Sequence, residues 1–436
     1  MRISVVGCGY LGAVHAAAMA HLGHDVVGID LDDAKIATLR SGTAPFFEPG
    51  LPDLLDEGRA SGRLRFSTSF DEVRGSEVVF LCVGTPQRAD SYAADLTQVD
   101  SAFRAVAMVA DDAVVVGKST VPVGTAARLA MELEASTPSA ALAWNPEFLR
   151  EGFAVADTLR PDRLVYGVEE RHGDRAVVAL DSVYESALRD GAPRLVTDLA
   201  TAELVKVAAN SFLATKISFI NAMAELCEVA GGDVTLLADA IGLDDRIGRR
   251  FLNAGLGFGG GCLPKDIRAF MARAEDLHAE PAVSFLREVD SINLRRRERM
   301  VDLTVGVLDG RPLAGARIAV LGAAFKPDSD DVRDSPALDV AEKLHARSAR
   351  VVVTDPQALH NARRKAPHLS YARTVAEAVD GADAVLLLTE WPEYRGLDPV
   401  ALGEHVAHRR IVDGRNVLDP TVWRSSGWTY RALGRP

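Results

Sequence analysis

Residues Arg2 to Val6 are a short apolar run that ends in Gly7-Cys8-Gly9-Tyr10-Leu11-Gly12. An alanine-rich helical stretch follows to about His21, and a second apolar run, Asp25 to Ile29, stops at Asp30. Strand, glycine turn, helix, strand and acid in this order make the first unit of a doubly wound parallel sheet. A glycine triplet alone is a weak signal, but here its whole context is present. Gly7 permits the tight turn, Gly9 lets a pyrophosphate approach, and Gly12 allows close packing of the helix, whose N-terminus then faces the phosphates. Asp30 is suited to accept hydrogen bonds from two ribose hydroxyls and to repel a 2′-phosphate, which favours NAD over NADP. Lys35 falls near the adenosine end. A Rossmann-like fold that holds no nucleotide is the bland alternative.

Further strand runs lie at Val78–Val83 and Ala113–Lys118, with Leu142-Ala143-Trp144 as another. Helical patterns separate them, as a parallel sheet requires. From about Asp198 to Cys227 the pattern becomes one long helix without Gly or Pro, apolar on more than one face, which suits burial between domains or subunits. Arg317-Ile318-Ala319-Val320-Leu321-Gly322 then opens a second α/β unit, continued by runs at Val351–Thr354, Ala384–Thr389 and Arg410–Asp413. A chain of 436 residues is too long for one core. The expected fold is α/β: two Rossmann-like doubly wound parallel-sheet domains, 1–197 and 301–436, joined by a long central helix and a helical middle domain, 198–300.

The formal net charge of −12 disfavours a nucleic-acid binder, and an anionic substrate would need local cations to override the overall field. No apolar run approaches the length of a membrane span. The four cysteines, Cys8, Cys82, Cys227 and Cys262, have neither paired nor metal-type spacing. Cys8 and Cys82 lie in strand patterns and read as small core hydrophobes. The chain begins on a strand, with no segment resembling a signal peptide, so a cytoplasmic, reduced protein that holds no metal is expected.

Cys262 sits differently. It follows Gly255-Leu256-Gly257-Phe258-Gly259-Gly260-Gly261 and precedes Leu263-Pro264-Lys265-Asp266. Glycines let backbone approach a ligand, and a thiol beside a cation can be held as the thiolate that attacks carbon. A flexible loop around a structural cysteine fits these twelve residues as well. Thr85 and Thr120 end strand runs, in Val83-Gly84-Thr85-Pro86 and Lys118-Ser119-Thr120-Val121-Pro122, and are either site hydroxyls or polar turn residues. Glu147 and Glu151, in Asn145-Pro146-Glu147-Phe148-Leu149-Arg150-Glu151-Gly152, also follow a strand and can orient water or act as bases, or are merely solvated. Glu203, Lys206 and Asn210 share one face of the long helix. Lys206 either meets a polar partner there or reaches out to solvent.

In order along the chain, these motifs resemble those of the UDP-glucose/GDP-mannose dehydrogenase family. Glu48-Pro49-Gly50-Leu51, Phe325-Lys326-Pro327 with Asp331-Val332-Arg333, and Asp413-Gly414-Arg415-Asn416 add to the resemblance. The resemblance implies an NAD-dependent four-electron oxidation of a nucleotide-sugar alcohol to an acid through a thiohemiacetal and thioester on Cys262. It gives Lys206 and Asn210 the oxyanion, Asp266 the thiol or a water, and Glu147 with Thr120 the hydrolytic water. Gly7, Gly9, Tyr10, Leu11, Gly12, Asp30, Lys35, Thr85, Thr120, Glu151, Lys265 and Arg333 fall on the cofactor side. The sugar nucleotide is assigned Glu147, Phe148, Leu149, Arg150 and Glu151, Lys206 and Asn210, and Phe251-Leu252-Asn253-Ala254-Gly255 with Gly259. Arg246, Lys326 and Arg415 are the cations for its pyrophosphate. A homodimer through the long helix is implied.

Asn210–Ala214, Ile217–Asn221, Asp245–Gly248 and Phe251–Gly255 look most like the members that oxidise UDP-glucose. The same chemistry on GDP-mannose, UDP-N-acetylmannosamine or UDP-N-acetylglucosamine is the near alternative. A single-step hydroxy-acid dehydrogenase would need neither the thiol nor the second α/β unit, and a non-catalytic sensor would be expected to lose Cys262, Lys206 or Asp266. One residue departs from the family: Gly261 stands where Ser is usual.

Overall fold

A computed structural model describes residues 1–435. Contacts divide the chain into two compact units, Met1–Ala209 with Arg268–His278, and Asn210–Ile267 with Ala279–Pro436. Each unit is built on one sheet.

The first sheet has eight strands: β1 (Arg2–Val6), β2 (Asp25–Ile29), β3 (Leu64–Ser67), β4 (Val78–Leu81), β5 (Val114–Gly117), β6 (Ala141–Trp144), β7 (Leu164–Val168) and β8 (Arg194–Thr197). Their order is β3-β2-β1-β4-β5-β6-β7-β8, which reverses direction between β1 and β4 as a doubly wound sheet does. Alternate residues go to opposite faces, so Val78 and Phe80 enter one core while Val79 and Leu81 enter the other. Helices cover both faces, which is why these strands read as unbroken apolar runs.

Two features differ from the sequence reading. The expected all-parallel sheet is broken once, because β7 pairs antiparallel with β6. The connection between them returns past one short helix, Ala154–Leu159, and a reversal of that kind needs no crossover helix. Leu64–Ser67, Leu164–Val168 and Arg194–Thr197 are strands as well. Leu64 and Phe66 alternate with exposed residues, and β8 lies at the sheet edge with its side chains largely exposed, so neither gives a continuous apolar run.

The second sheet has six parallel strands: β9 (Arg317–Leu321), β10 (Arg350–Thr354), β11 (Ser370–Tyr371), β12 (Ala384–Leu387), β13 (Arg410–Asp413) and β14 (Thr429–Ala432). Their order is β11-β10-β9-β12-β13-β14. The opening of the two sheets is built alike. Gly7 has φ +91° and its N–H reaches Ile29 O at 2.7 Å, while Gly322 has φ +112° and its N–H reaches Thr354 O at 2.8 Å. Only a glycine takes such angles without strain. The next N–H, of Cys8 or Ala323, donates to an aspartate just past the second strand, Asp30 or Asp355.

The long helix runs Leu199–Ala230, and two of the three divisions between the units fall inside helices, this one and Leu263–Asp276. Among the described residues no helix is long and apolar enough to cross a membrane.

A Cβ on Gly12 would stand 1.8 Å from the carbonyl oxygen of Gly7, which is backbone and cannot swing aside. Gly12→Ala should therefore destabilise the first unit by about 1–3 kcal/mol, the usual cost of overpacking. A fall in the urea midpoint at unchanged slope would register it.

Candidate active site

The nucleotide turn lies wholly within the first unit. Gly9 is the N-cap of the helix Tyr10–His21, and a Cβ there would meet nothing within 4 Å, so the space before the helix N-terminus is open to a phosphate. Asp30 takes N–H groups from Cys8 on Oδ2 (2.8 Å) and Asp32 on Oδ1 (3.0 Å), and the Lys35 ammonium on Oδ2 (2.8 Å). It remains only partly buried at the end of β2, with acceptor capacity left for ribose hydroxyls. Glycines, helix end and acid together fit a dinucleotide. Asp355 in the second unit is spent: it accepts from five donors, those of Ala323, Ala324, Gln357, Ala358 and the Trp391 indole, and is 2% exposed.

The carboxylate loop belongs to the same unit. Glu147 Oε1 lies 2.8 Å from the Lys206 ammonium, and Oε2 accepts the Leu149 N–H at 2.8 Å. Lys206 is thus buried and paired; it does not reach out to solvent. Its ammonium also lies 5.7 Å from the Phe148 ring centroid. Thr85 Oγ1 donates to Thr120 O at 2.8 Å, tying two strand-end turns together. Arg150 forms a two-pronged pair with Asp157, at 2.9 and 2.7 Å, and lies over the Phe153 ring. Glu151 is buried.

Two other acids hold this region. Glu48 accepts the N–H groups of Gly152 and Ala154, each at 2.7 Å, and the Tyr10 hydroxyl, so it caps the helix Ala154–Leu159 and anchors Glu151 and Gly152. Glu203, which the helix pattern grouped with Lys206, accepts from Gly124 (2.7 Å) and Ala126 (2.6 Å) at the start of the helix Thr125–Ser136. Burial raises its carboxyl and those N–H groups oppose the shift. Both acids are scaffold.

The thiol loop is built within the second unit. Cys262 is exposed and immediately precedes the helix Leu263–Asp276, whose first bond runs from Asp266 N–H to Cys262 O at 3.0 Å. Its side chain therefore stands at the positive end of a helix, which favours a thiolate. Asp266 is buried, takes the Asn210 amide at 2.7 Å and the Lys265 ammonium at 2.6 Å. Asn210 follows Lys206 by four residues on one uninterrupted helix.

The glycines before Cys262 are there for close packing. Asn293 grips Phe258 at both its N–H (2.7 Å) and its carbonyl (3.0 Å), and a Cβ on Gly257 would lie 2.2 Å from Asn293 Oδ1. A Cβ on Gly259 would lie 2.3 Å from Asp334 O. At Gly261 the neighbour is the Arg333 guanidinium, 2.3 Å from the position a Cβ would take. A serine here would have to push that guanidinium aside, which gives the departure at Gly261 a physical correlate. Arg333 itself pairs with Asp331.

The remaining sugar-side residues fall in the second unit. Gly255 N–H donates to Asn221 Oδ1 at 2.9 Å, and Ala254 O accepts from Asn416 at 3.1 Å, so the Phe251–Gly255 segment is tethered at its end. Leu252 and Ala254 are buried, while Phe251 and Asn253 are exposed. Arg415 donates to Leu388 O (2.7 Å), Gly257 O (3.1 Å) and Phe325 O (3.2 Å), which commits three of its five donors to loop carbonyls. Lys326 lies 5.5 Å from the Phe325 centroid. Arg246 is largely exposed and pairs with Asp244 two residues before it. Among the described residues no cluster of His, Cys, Asp or Glu is arranged for a metal ion.

Sequence reasoning assigned no role to Asn293, Glu48 as a cap, or Lys118. An asparagine inside the helix Phe285–Val307 carries no local signal of its distant partner. Lys118 at the end of an apolar strand was the one visible anomaly.

Asn293→Ala would leave the buried Phe258 N–H without its partner, while the carbonyl keeps the longer bond from Arg297 at 3.4 Å. A loss of about 1–3 kcal/mol is expected from one such group, readable by chemical denaturation of the otherwise folded protein.

Sequence profiles of the UDP-glucose/GDP-mannose dehydrogenase family match in chain order: its NAD-binding domain over residues 1–188, its central domain over 200–295 and its UDP-binding domain over 319–420. A UDP-glucose 6-dehydrogenase of Rhizobium meliloti is 42% identical over 440 residues, covering 100% of both chains. One of Bacillus subtilis is 39% identical, covering 100% of this chain and 98% of its own. Among solved structures, a UDP-glucose dehydrogenase from Pyrobaculum islandicum superposes with a TM-score of 0.90 at 40% identity, covering 100% of this chain and 98% of its own. A UDP-D-ManNAc dehydrogenase from Pyrococcus horikoshii gives 0.86 at 30%, covering 100% and 99%. With nucleotide turn, carboxylate loop and thiol loop in the family's order, and three profiles along its length, this chain belongs to the UDP-glucose/GDP-mannose dehydrogenase family.

Proposed function

We propose that the protein is an NAD-dependent UDP-glucose 6-dehydrogenase that converts UDP-glucose, two NAD and one water into UDP-glucuronate and two NADH. The observation that carries the reading is an exposed thiol at a helix N-terminus, in a chain about 40% identical over its full length to UDP-glucose 6-dehydrogenases. NAD, when bound, supplies the hydride acceptor for each of the two oxidations.

The protein's own residues do the rest. In the first oxidation C6 loses hydride and its hydroxyl proton, and Lys206 and Asn210 stabilise the charge on that oxygen as the aldehyde forms. The Cys262 sulfur then adds to C6, forming a C–S bond while the carbonyl oxygen takes a proton. Loss of a second hydride and the hydroxyl proton turns this thiohemiacetal into a thioester. Glu147, steered by its pair with Lys206 and aided by Thr120, orients a water and receives its proton as the water oxygen attacks C6. The C–S bond breaks, the electron pair returns to sulfur and the carboxylate leaves. Lys265, Arg333 and Glu151 serve the cofactor side. The Phe251–Gly255 segment, Gly259, Lys326, Arg415 and Arg246 serve the nucleotide.

We also infer a homodimer through the long helix. Phe212, Phe219 and Leu226 recur every seven residues on it and are exposed, with Val229 at 90% close behind. Leu236, Leu243 and Ile247 beside its end are exposed too. An apolar stripe of that extent favours a partner surface, and a second copy supplies a matching one. The thiols, none of them in a disulfide, and the dinucleotide chemistry suit a reducing, cytoplasmic setting.

Purified enzyme should form two NADH per UDP-glucose consumed, and little with GDP-mannose or UDP-N-acetylmannosamine. Preference for another of these sugars would transfer the assignment to it, and a ratio of one with free aldehyde would overturn the thioester scheme. Cys262→Ala should fold and make no UDP-glucuronate; full activity would remove the thiol from the chemistry. Phe219→Asp should shift sedimentation from dimer to monomer, and an unchanged dimer would rule out this face.

A further inference from the structure

Lys118 stands where β5 ends, and it is buried. Its ammonium donates to Asn145 Oδ1 at 3.0 Å and to the Tyr184 hydroxyl at 3.1 Å, and the same hydroxyl donates to Asn145 Oδ1 at 2.7 Å. The ammonium lies 5.7 Å and 5.6 Å from the ring centroids of Phe80 and Tyr184. Among the described residues no carboxylate stands within ion-pair distance of it. A buried ammonium without an anion is costly, and an apolar side chain of the same length would be more stable there. Burial accordingly pushes its proton affinity down, to a pKa of about 8, with the Glu147 charge acting the other way.

The surroundings tell what the expense is for. Asn145 is two residues before Glu147, and its amide is itself fixed by donating to Val165 O at 3.0 Å. Lys118, Asn145, Glu147 and Tyr184 line one cavity of about 50 Å³, together with His15. A site with ~10–15 Å³ and several polar partners suffices for an ordered water. His15 is 1% exposed, and its Nε2 has no hydrogen-bond partner in the protein. Burial holds the imidazole well below its ordinary pKa, so it is neutral and one ring nitrogen must find a donor or acceptor.

We propose that this cavity is a bound-water site and that Lys118 is a positioning residue for the water-consuming step. Lys118 and Tyr184 hold Asn145, the cavity water joins His15 and Lys118 to the turn, and the turn aims Glu147 at the water that attacks the thioester. The inference rests on the reading of the function given above. The cluster is built around the carboxylate turn, so its loss should spare both hydride transfers.

The test is pre-steady-state kinetics of Lys118→Met with UDP-glucose and NAD, alongside intact-mass analysis of acid-quenched enzyme. A roughly 10- to 100-fold slower turnover is expected, as for a displaced reacting group, with kcat/KM for both substrates unchanged because the slowed step follows both oxidations. NADH should appear in a burst of two per active site, and the enzyme should accumulate the sugar-nucleotide acyl adduct on Cys262. Tyr184→Phe, which removes one hydroxyl from the same cluster, should shift both readouts in the same direction by less. If Lys118→Met folds and turns over without a burst or adduct, or if the burst itself slows in proportion to turnover, Lys118 has no special part in hydrolysis. If Lys118→Met fails to fold, Tyr184→Phe decides on the same criteria. Wild-type enzyme that makes no NADH from UDP-glucose would instead sink the proposed function.

Discussion

Where a strand ends and its chain turns toward a helix, backbone N–H groups point into space that the protein itself encloses, and each needs an acceptor. Carboxylates, most of them buried, provide it throughout this chain. Asp30 and Asp355 take the N–H that follows the first glycine of each sheet. Glu48 takes Gly152 and Ala154, Glu203 takes Gly124 and Ala126, and Asp413 takes Arg415, Val417 and Leu418. A carboxylate that accepts several N–H groups at once is both satisfied and rigidly aimed. The turns at the strand ends, where the chemistry is proposed, are held by these acids, and without them the strand edges would be loose.

The same economy separates the two halves. Both sheets begin with a left-handed glycine and an acid at the end of the second strand. Asp30 keeps part of its acceptor capacity, whereas Asp355 is surrounded by five donors including an indole. The difference in burial, and not in motif, decides which acid can meet a ribose.

The nucleotide turn and the apolar core strands were legible because they depend on local patterns: apolar runs, glycines at fixed spacing and an acid 23 residues past Gly7. The helical face that joins Lys206 to Asn210 was legible for the same reason. The antiparallel β7 was not, since strand direction follows from where a connection returns and not from its residues. Glu203 was grouped with Lys206 by helical spacing, yet spacing cannot tell an acid that caps a distant helix from one that serves a site. Arg415 reads as a free cation in sequence, and in the fold three of its N–H groups already serve carbonyls of three loops.

The thiol loop divides the matter most clearly. Sequence alone established a cysteine after a glycine run, with a cation and an acid in the next turn, and that a helix beginning there would bring Asp266 back beneath Cys262. Tertiary structure alone decided why the run is glycine: Asn293 and the Asp334 backbone occupy the volumes that Cβ atoms at 257 and 259 would need, and the Arg333 guanidinium lies where one at 261 would stand. Those neighbours lie 36 to 75 residues away along the chain. Exclusion of volume by distant residues leaves a trace in sequence only as a small residue, and the cause of its smallness appears once the chain has folded.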